Sequence, residues 1–137
     1  MKTVIHDART ISEIQREFTK EFPYLKLEFF DAPHCDKRAL PKSKLIDRNK
    51  KLGEVRKNHN EGVLEIKPSD TVSDLENKFW NLFGLSVQVF RKSGNLWIET
   101  SLTDSWTLER QNREGYEMSA PANKEPEPDL TDRDVWE

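Results

Sequence analysis

The sequence contains a single cysteine, Cys35, so no disulfide can form within the chain. It has no run of about eighteen apolar residues, the minimum for a membrane-spanning helix. Its first residues also lack the apolar segment of a secretory signal. These absences lead us to expect a cytoplasmic protein with no membrane partner.

Glycine is also scarce, with five residues that are all isolated from one another. A phosphate-binding loop needs clustered glycines, because its backbone amides must approach the anion closely, and we expect none here. The histidines show no metal-ligand spacing, and the only His-Cys neighbourhood, His34-Cys35, has no recognisable third catalytic residue. We therefore predict no catalytic residue, metal or cofactor, and an enzyme whose site is assembled across the fold is only our third hypothesis.

Charge is abundant but unevenly distributed, although the net charge is only -3. From Cys35 to Glu61, nine basic residues stand against four acids, whereas from Gly115 to Glu137 seven acids stand against two bases. The first segment is typical of a solvated basic connection between folded units. The second segment, which prolines interrupt, predicts a disordered acidic tail.

A shift of the sequence against itself by 61 positions places one helical pattern on another. Thr10 and Thr71 then coincide as caps of the first turn, and Phe18 coincides with Phe79. Both patterns repeat apolar residues at spacings of three, four and four, which predicts one apolar stripe on each helix. These matches indicate an internal duplication.

Strand patterns lie on both sides of each helix, so each copy is predicted to be a β-α-β unit. The strand after each helix alternates apolar and polar residues. The shift of 61 positions would place apolar Leu27 over polar Gln88 and turn opposite faces inward. We therefore predict that the copies differ in length by one residue at the turn from helix to strand.

Further elements follow the second copy. The turn Lys92–Asn95 and the alternating residues Leu96–Thr100 predict a hairpin, for which the first copy shows no equivalent. A short helix is predicted from about Trp106 to Arg113, with Gly115 as its end signal.

These observations predict a two-layer α+β domain at residues 1–114. It consists of repeat units at about 2–31 and 62–91, joined by the basic connection at 32–61, and the tail occupies residues 115–137. Two right-handed β-α-β units that share a sheet favour a ferredoxin-like strand order, and the extra hairpin makes a β-grasp-like arrangement the alternative.

The segment from Phe79 to Phe90, together with Trp97 and the run Trp106–Leu108, resembles a pattern found in uncharacterised bacterial proteins. The resemblance covers roughly residues 62–113. It implies a shared core pattern and supplies no activity or binding residue.

The leading functional hypothesis is a non-catalytic protein-interaction module. Its candidate partner-binding residues are aromatic side chains outside the apolar stripes: Trp80, Phe90, Trp97 and Trp136. Phe90 and Trp97 alternate away from the core positions, and we expect the helix that carries Trp106 to cover them. Trp136 would instead anchor a docking peptide in the tail.

The second hypothesis is an RNA- or DNA-binding protein that uses the basic connection. Its candidate residues are the cations that could neutralise phosphates: Lys50, Lys51, Arg56 and Lys57. The basic connection contains no aromatic residue on which bases could stack, so only backbone contacts would be available there. The sequence leaves the partner and the oligomeric state open.

Overall fold

The computed structural model describes residues 1–34 and 38–119, and its helices and antiparallel sheets give an α+β fold, as predicted. Two strand-helix-strand units follow each other along the chain. No helix within the described ranges is long and apolar enough to cross a membrane. The elements, in chain order, are β1 (Lys2–Ile5), α1 (Ile11–Glu21), β2 (Leu25–Phe30), α2 (Leu52–Val55), β3 (Gly62–Glu65), α3 (Val72–Phe83), β4 (Ser86–Ser93), β5 (Leu96–Glu99) and α4 (Leu108–Ser119), with 3-10 turns at Lys42–Lys44 and Ser101–Thr103.

The caps of the two repeated helices lie where the sequence predicts them. The Thr10 side chain accepts a hydrogen bond from the Glu13 amide, and the Thr71 side chain accepts one from the Asp74 amide. We expected Glu13 to complete a capping box, but its carboxylate pairs with Arg9 at 3.1 Å instead. The complete box is found in the second copy, where the Asp74 carboxylate accepts from the Thr71 amide.

The strands form two antiparallel sheets, one of β1 and β3 and one in the order β2-β4-β5. The ferredoxin-like order is not confirmed, because β2 and β4 pair with each other instead of flanking a central β1–β3 pair. Their pairing places Leu27 opposite Val89 and Phe29 opposite Val87, and all four side chains are buried. Side by side, the two strands therefore present one continuous apolar surface to the helices.

The contacts of matching helix residues confirm the one-residue difference between the copies. Gln15 donates to the Leu27 carbonyl, whereas Glu76, which lies 61 positions after Gln15, accepts from the amide of Val89, which lies 62 positions after Leu27. Thr3 faces Leu64, which lies 61 positions later, whereas Leu27 faces Val89, which lies one position further. In both sheets a residue of the first copy thus faces its own counterpart in the second. The copies are therefore related by a pseudo-two-fold axis, and the extra residue lies between helix and strand.

The core is built from the predicted apolar stripes. Phe18 and Phe79 are both fully buried at matching places on α1 and α3. The Phe79 ring packs edge-on against Phe29, with 5.9 Å between ring centroids. The burial of both stripes against strands explains why each helix needs only one apolar face.

The outer edge of β2 is closed by hydrogen bonds from neighbouring elements. The Gln15 side chain donates to the Leu27 carbonyl at 2.8 Å, and the Thr19 hydroxyl donates to the Leu25 carbonyl at 3.0 Å. The next carbonyl of this edge accepts from the Ile46 amide at 2.9 Å. These bonds satisfy an edge that would otherwise be open to pairing with another chain.

Helix α4 is longer than the sequence predicts. Gly115 does not end it but lies buried inside it, and the helix continues to Ser119. The Asn112 side chain accepts a hydrogen bond from the Tyr24 amide at 2.8 Å, which fixes this part of α4 against the start of β2. The domain boundary predicted at residue 114 therefore falls within a helix, and residues 120–137 of the predicted tail lie outside the described part of the chain.

Candidate functional site

An open cleft of about 920 Å³ lies between the basic connection and the first residues of β4. One wall is the end of β2 with the segment that follows it, and the other wall runs from α2 to residue 58. We call it the Ser86 cleft, after the residue at the start of β4 that lines it. Its apolar lining consists of Phe29, Phe30, Ala32, Pro33, Leu45, Ile46, Val55 and Leu85.

The basic connection forms this wall because it is tied to β2 and to the core. The Asp31 amide donates to the Lys44 carbonyl at 2.7 Å, and Phe30 forms an isolated antiparallel bridge with Leu45. This bridge is the counterpart, in the first copy, of the hairpin that we expected only in the second. Further along, Leu52 anchors the connection through a side chain that is fully buried in the core.

Ser86 is a buried polar residue in the lining of the cleft. It is 4% exposed, and its hydroxyl has no hydrogen-bond partner among the described residues. Phe30 lies opposite Ser86 on β2, and its side chain has no nitrogen or oxygen atom that could form a hydrogen bond. A buried hydroxyl without a partner costs about 1–3 kcal/mol, so a bound group that hydrogen-bonds Ser86 would relieve a penalty in the free protein.

Trp80 lies at the rim of the cleft and remains 37% exposed. Its counterpart in the first copy is Thr19, which caps a strand carbonyl instead of exposing an apolar surface. The prediction that Trp80 lies off the apolar stripe of its helix is confirmed. The ring is available to a bound molecule.

The charged residues at the rim of the cleft are balanced in sign: Asp31, Asp47, Glu54, Lys44, Lys50 and Lys57. The remaining charged residue of the lining, Arg56, is buried and paired with Asp7. Lys50 and Glu54 form an exposed ion pair at 3.8 Å. The rim therefore offers both donors and acceptors. It lacks the single positive sign that would attract a polyanion.

Arg56, which we considered as a phosphate contact, has a fully buried side chain. Its guanidinium donates to Asp7 at 2.8 Å and to the Phe83 carbonyl at 3.0 Å. The hydrogen bond from Arg56 lowers the pKa of the Asp7 carboxyl, partial burial opposes the shift, and the nearby His59 ring adds to it. Arg56 thus holds the connection against the end of α3 and cannot reach a phosphate. The other three candidates, Lys50, Lys51 and Lys57, are exposed.

Phe90 and Trp97 lie together on the sheet face that points away from the core. The Lys26 ammonium lies 5.6 Å from the centroid of the Phe90 ring and 5.0 Å from that of Trp97. Our expectation that the Trp106 helix covers this face is wrong, because Trp106 packs against Arg91 and Arg110. Since Arg91 follows Phe90 on β4, its side chain projects from the other face of the sheet.

No protein-family model, curated protein or solved structure matches this chain. The candidate residue Trp136 and the cysteine Cys35 lie outside the described residues. Sequence reasoning found Trp80 by its place on a helix but missed Ser86. A lone serine in a strand carries no spacing signal, so only its burial without a partner could have revealed it.

Proposed function

We propose that the protein is a non-catalytic protein-interaction module that binds a segment of a partner protein in the Ser86 cleft. The observation that carries this proposal is the buried Ser86 hydroxyl, which has no hydrogen-bond partner in the described part of the chain, in a cleft with an apolar lining. Because the chain has a single cysteine, which suits a reducing compartment, the proposal includes a cytoplasmic location.

The composition of the cleft supports a polypeptide as the occupant. Protein interfaces combine an apolar centre with a polar rim, and the cleft has its apolar side chains inside and, apart from the buried Arg56, three charges of each sign around them. The exposed ring of Trp80 belongs to a residue type that often dominates binding energy. The concave shape would let a few apolar side chains of a partner be buried without rearrangement of the backbone.

Peptides selected from a random phage-displayed library on the immobilised full-length chain would test this proposal. Trp80→Ala should weaken the binding of a selected peptide by about tenfold or more, because it removes an apolar anchor at the rim. Trp97→Ala is a matched control, since Trp97 is also 37% exposed but does not line the cleft. Fluorescence anisotropy with labelled peptide gives both affinities.

The opposite pattern would contradict the proposal. If Trp97→Ala abolished peptide binding and Trp80→Ala left it unchanged, the binding surface would be the sheet face around Phe90. If no peptide were selected that shifts the NMR signals of Ser86 or Trp80, the cleft would not be a protein-binding site.

The nucleic-acid hypothesis has less support, because Arg56 is buried and the cleft rim carries acids. Titration with random single- and double-stranded oligonucleotides at low salt addresses it directly. Binding that weakens steeply with salt and is lost when Lys50, Lys51 and Lys57 are replaced by Gln would favour nucleic acid over protein as the partner.

A further inference from the structure

Helices α2 and α4 begin at equivalent places in the two copies. The Leu52 amide donates to the Arg9 carbonyl at 2.8 Å, and the Leu108 amide donates to the Asp70 carbonyl at 2.8 Å. Arg9 and Asp70 are matching residues of the two copies. Leu52 and Leu108 begin α2 and α4, and both are fully buried.

The copies differ in how far these helices continue. Helix α4 has 12 residues, whereas α2 has four and ends before Arg56, whose backbone is extended. The guanidinium of Arg56 then holds the chain against the Phe83 carbonyl. The last eight residues of α4, Asn112–Ser119, consequently have no helical counterpart in the first copy.

The contacts of these eight residues show what the missing turns would have touched. A Cβ atom added to Gly115 would lie 2.8 Å from the Cβ of Tyr24 and 3.2 Å from the Cγ of Arg91, so the helix packs very closely there. At the end of α4, the Ser119 hydroxyl accepts a hydrogen bond from the Gly94 amide at 3.1 Å. Helix α4 thus covers Tyr24, Arg91 and Gly94, which belong to the β2–β4 sheet and its hairpin.

The register of β2 and β4 identifies the matching places in the first copy. Because Leu27 and Val89 are counterparts, the residues that match Tyr24, Arg91 and Gly94 are Ser86, Phe29 and Ala32. All three of these residues line the Ser86 cleft. The cleft therefore occupies the position that α4 fills in the second copy.

We infer that the cleft receives an α-helical segment of about two turns from the partner protein, which lies where the last eight residues of α4 lie in the other copy. This inference rests on the proposed function and specifies the conformation of the bound segment. Two turns of helix span about 11 Å. Binding would follow the helix-in-groove mode, in which one face of an amphipathic helix fills an apolar groove.

The geometry also specifies the chemistry of this helix. By analogy with Gly115, a small residue should cross the floor of the cleft beside Ser86 and Phe29. A polar side chain next to it should hydrogen-bond the Ser86 hydroxyl, which lacks a partner among the described residues. An apolar residue one turn away would contact Trp80 at the rim.

A peptide with the sequence Asn112–Ser119, locked as a helix by a hydrocarbon staple, is a suitable probe. The staple would join positions 113 and 117, which are both exposed in α4, so the Gly115 face stays free. Added at up to about 1 mM to the isotope-labelled full-length chain, it should shift the amide signals of Ala32 and Ser86 and the indole signal of Trp80. The Trp97 indole signal should not move.

Two matched control peptides distinguish binding of the helix from nonspecific binding. The stapled peptide with Gly115→Leu should bind at least about tenfold more weakly, because a large side chain blocks the close approach. An unstapled peptide with Arg113→Pro and Glu117→Pro cannot form the helix and should cause no shifts.

The possible outcomes distinguish this inference from the proposed function. If the proline peptide binds as tightly as the stapled peptide, the helical occupant is overturned and the protein-binding site remains. The same holds if selected peptides bind the cleft in an extended conformation while the stapled peptide does not bind. If neither the stapled peptide nor any selected peptide shifts the cleft signals, both are overturned.

Discussion

Arg9 and Glu17 are joined by an ion pair with 2.6 Å between Nη2 and Oε2, and the second copy contains the same pair with its charges exchanged. There Asp70 takes the position of Arg9, and Lys78, which takes the position of Glu17, pairs with it at 3.1 Å. In each copy the cation also donates to a carbonyl of its own strand in the β1–β3 sheet. Either partner can supply this donor, which explains why the duplication tolerates the exchange.

The Arg9–Glu17 ion pair should make the stability of the protein depend on pH. The hydrogen bond from Arg9 lowers the pKa of Glu17 below its usual value of 4.5, burial opposes the shift, and the Thr3 hydroxyl adds to it. A lowered pKa in the folded state means that the contribution is present above pH 4.5 and is lost as the pH falls through the folded value. Because the pair is partly exposed, it is expected to contribute at most about 1 kcal/mol.

Urea unfolding between pH 7 and pH 3 would measure this effect. The Glu17→Gln variant should be less stable than the native chain at neutral pH and should lose less stability on acidification. Glu21→Gln, at the exposed end of the same helix, is the control and should follow the native curve. Parallel curves for all three proteins would show that the ion pair does not contribute.

The buried phenylalanines of the repeated helices provide a paired test of the duplication. Phe18→Ala and Phe79→Ala should each lower the free energy of unfolding by about 3–5 kcal/mol, because both side chains are fully buried at matching places. Leu102→Ala, at a site that is 88% exposed, should change it by less than about 0.5 kcal/mol. Equilibrium denaturation measures all three, and a loss below about 1 kcal/mol at either phenylalanine would contradict two equivalent core helices.

Gly115→Ala should destabilise the protein, although alanine is the better helix former. Helix propensity favours the substitution by about 1 kcal/mol, but the new Cβ would lie 2.8 Å from that of Tyr24. We expect the clash to outweigh the propensity and to leave a net loss of about 1–3 kcal/mol. Arg113→Ala, at an exposed site on the same helix, should be close to neutral. A stabilised Gly115→Ala variant would mean that α4 does not pack closely on β2 in solution.

Ser86→Ala should separate stability from binding. Removal of a buried hydroxyl without a partner should raise the free energy of unfolding by about 1 kcal/mol, while it weakens the binding of peptides selected on the native cleft. Ser69→Ala, at an exposed loop site, should change neither quantity. Thermal unfolding and anisotropy on the same samples provide the two readouts. A marked loss of stability in Ser86→Ala would show that the hydroxyl is already satisfied in the free protein.

The two repeated helices could be predicted because their signals are local. In each copy the cap, Thr10 or Thr71, and the apolar residues of its helix lie within about a dozen residues of each other. The partners of the strands could not be predicted in this way. Alternation shows which face of a strand is buried, but the pairing of Leu27 with Val89 depends on a surface that exists only after both copies meet.

The cleft and the length of α4 were missed for a related reason. An isolated glycine such as Gly115 signals a helix end when only its neighbours are considered, whereas its contact with Tyr24 comes from the distant first copy. Ser86 has no local signal, and the cleft exists because α2 stops after four residues. Of the residues that line the cleft, Trp80 could be proposed from its helical position, and Lys50, Arg56 and Lys57 from their charge.

The pairing of β1 with β3 and of β2 with β4 also has a consequence for how the chain folds. Each of these pairs joins strands from different copies, so neither copy can complete a sheet from its own strands. Helices and the local β4–β5 hairpin can form on the microsecond timescale, but the cross-copy pairs must first close loops of about sixty residues. Such high contact order slows folding toward the millisecond-to-second range. During synthesis, the first half must therefore wait, with its apolar strands exposed, until the second half has emerged.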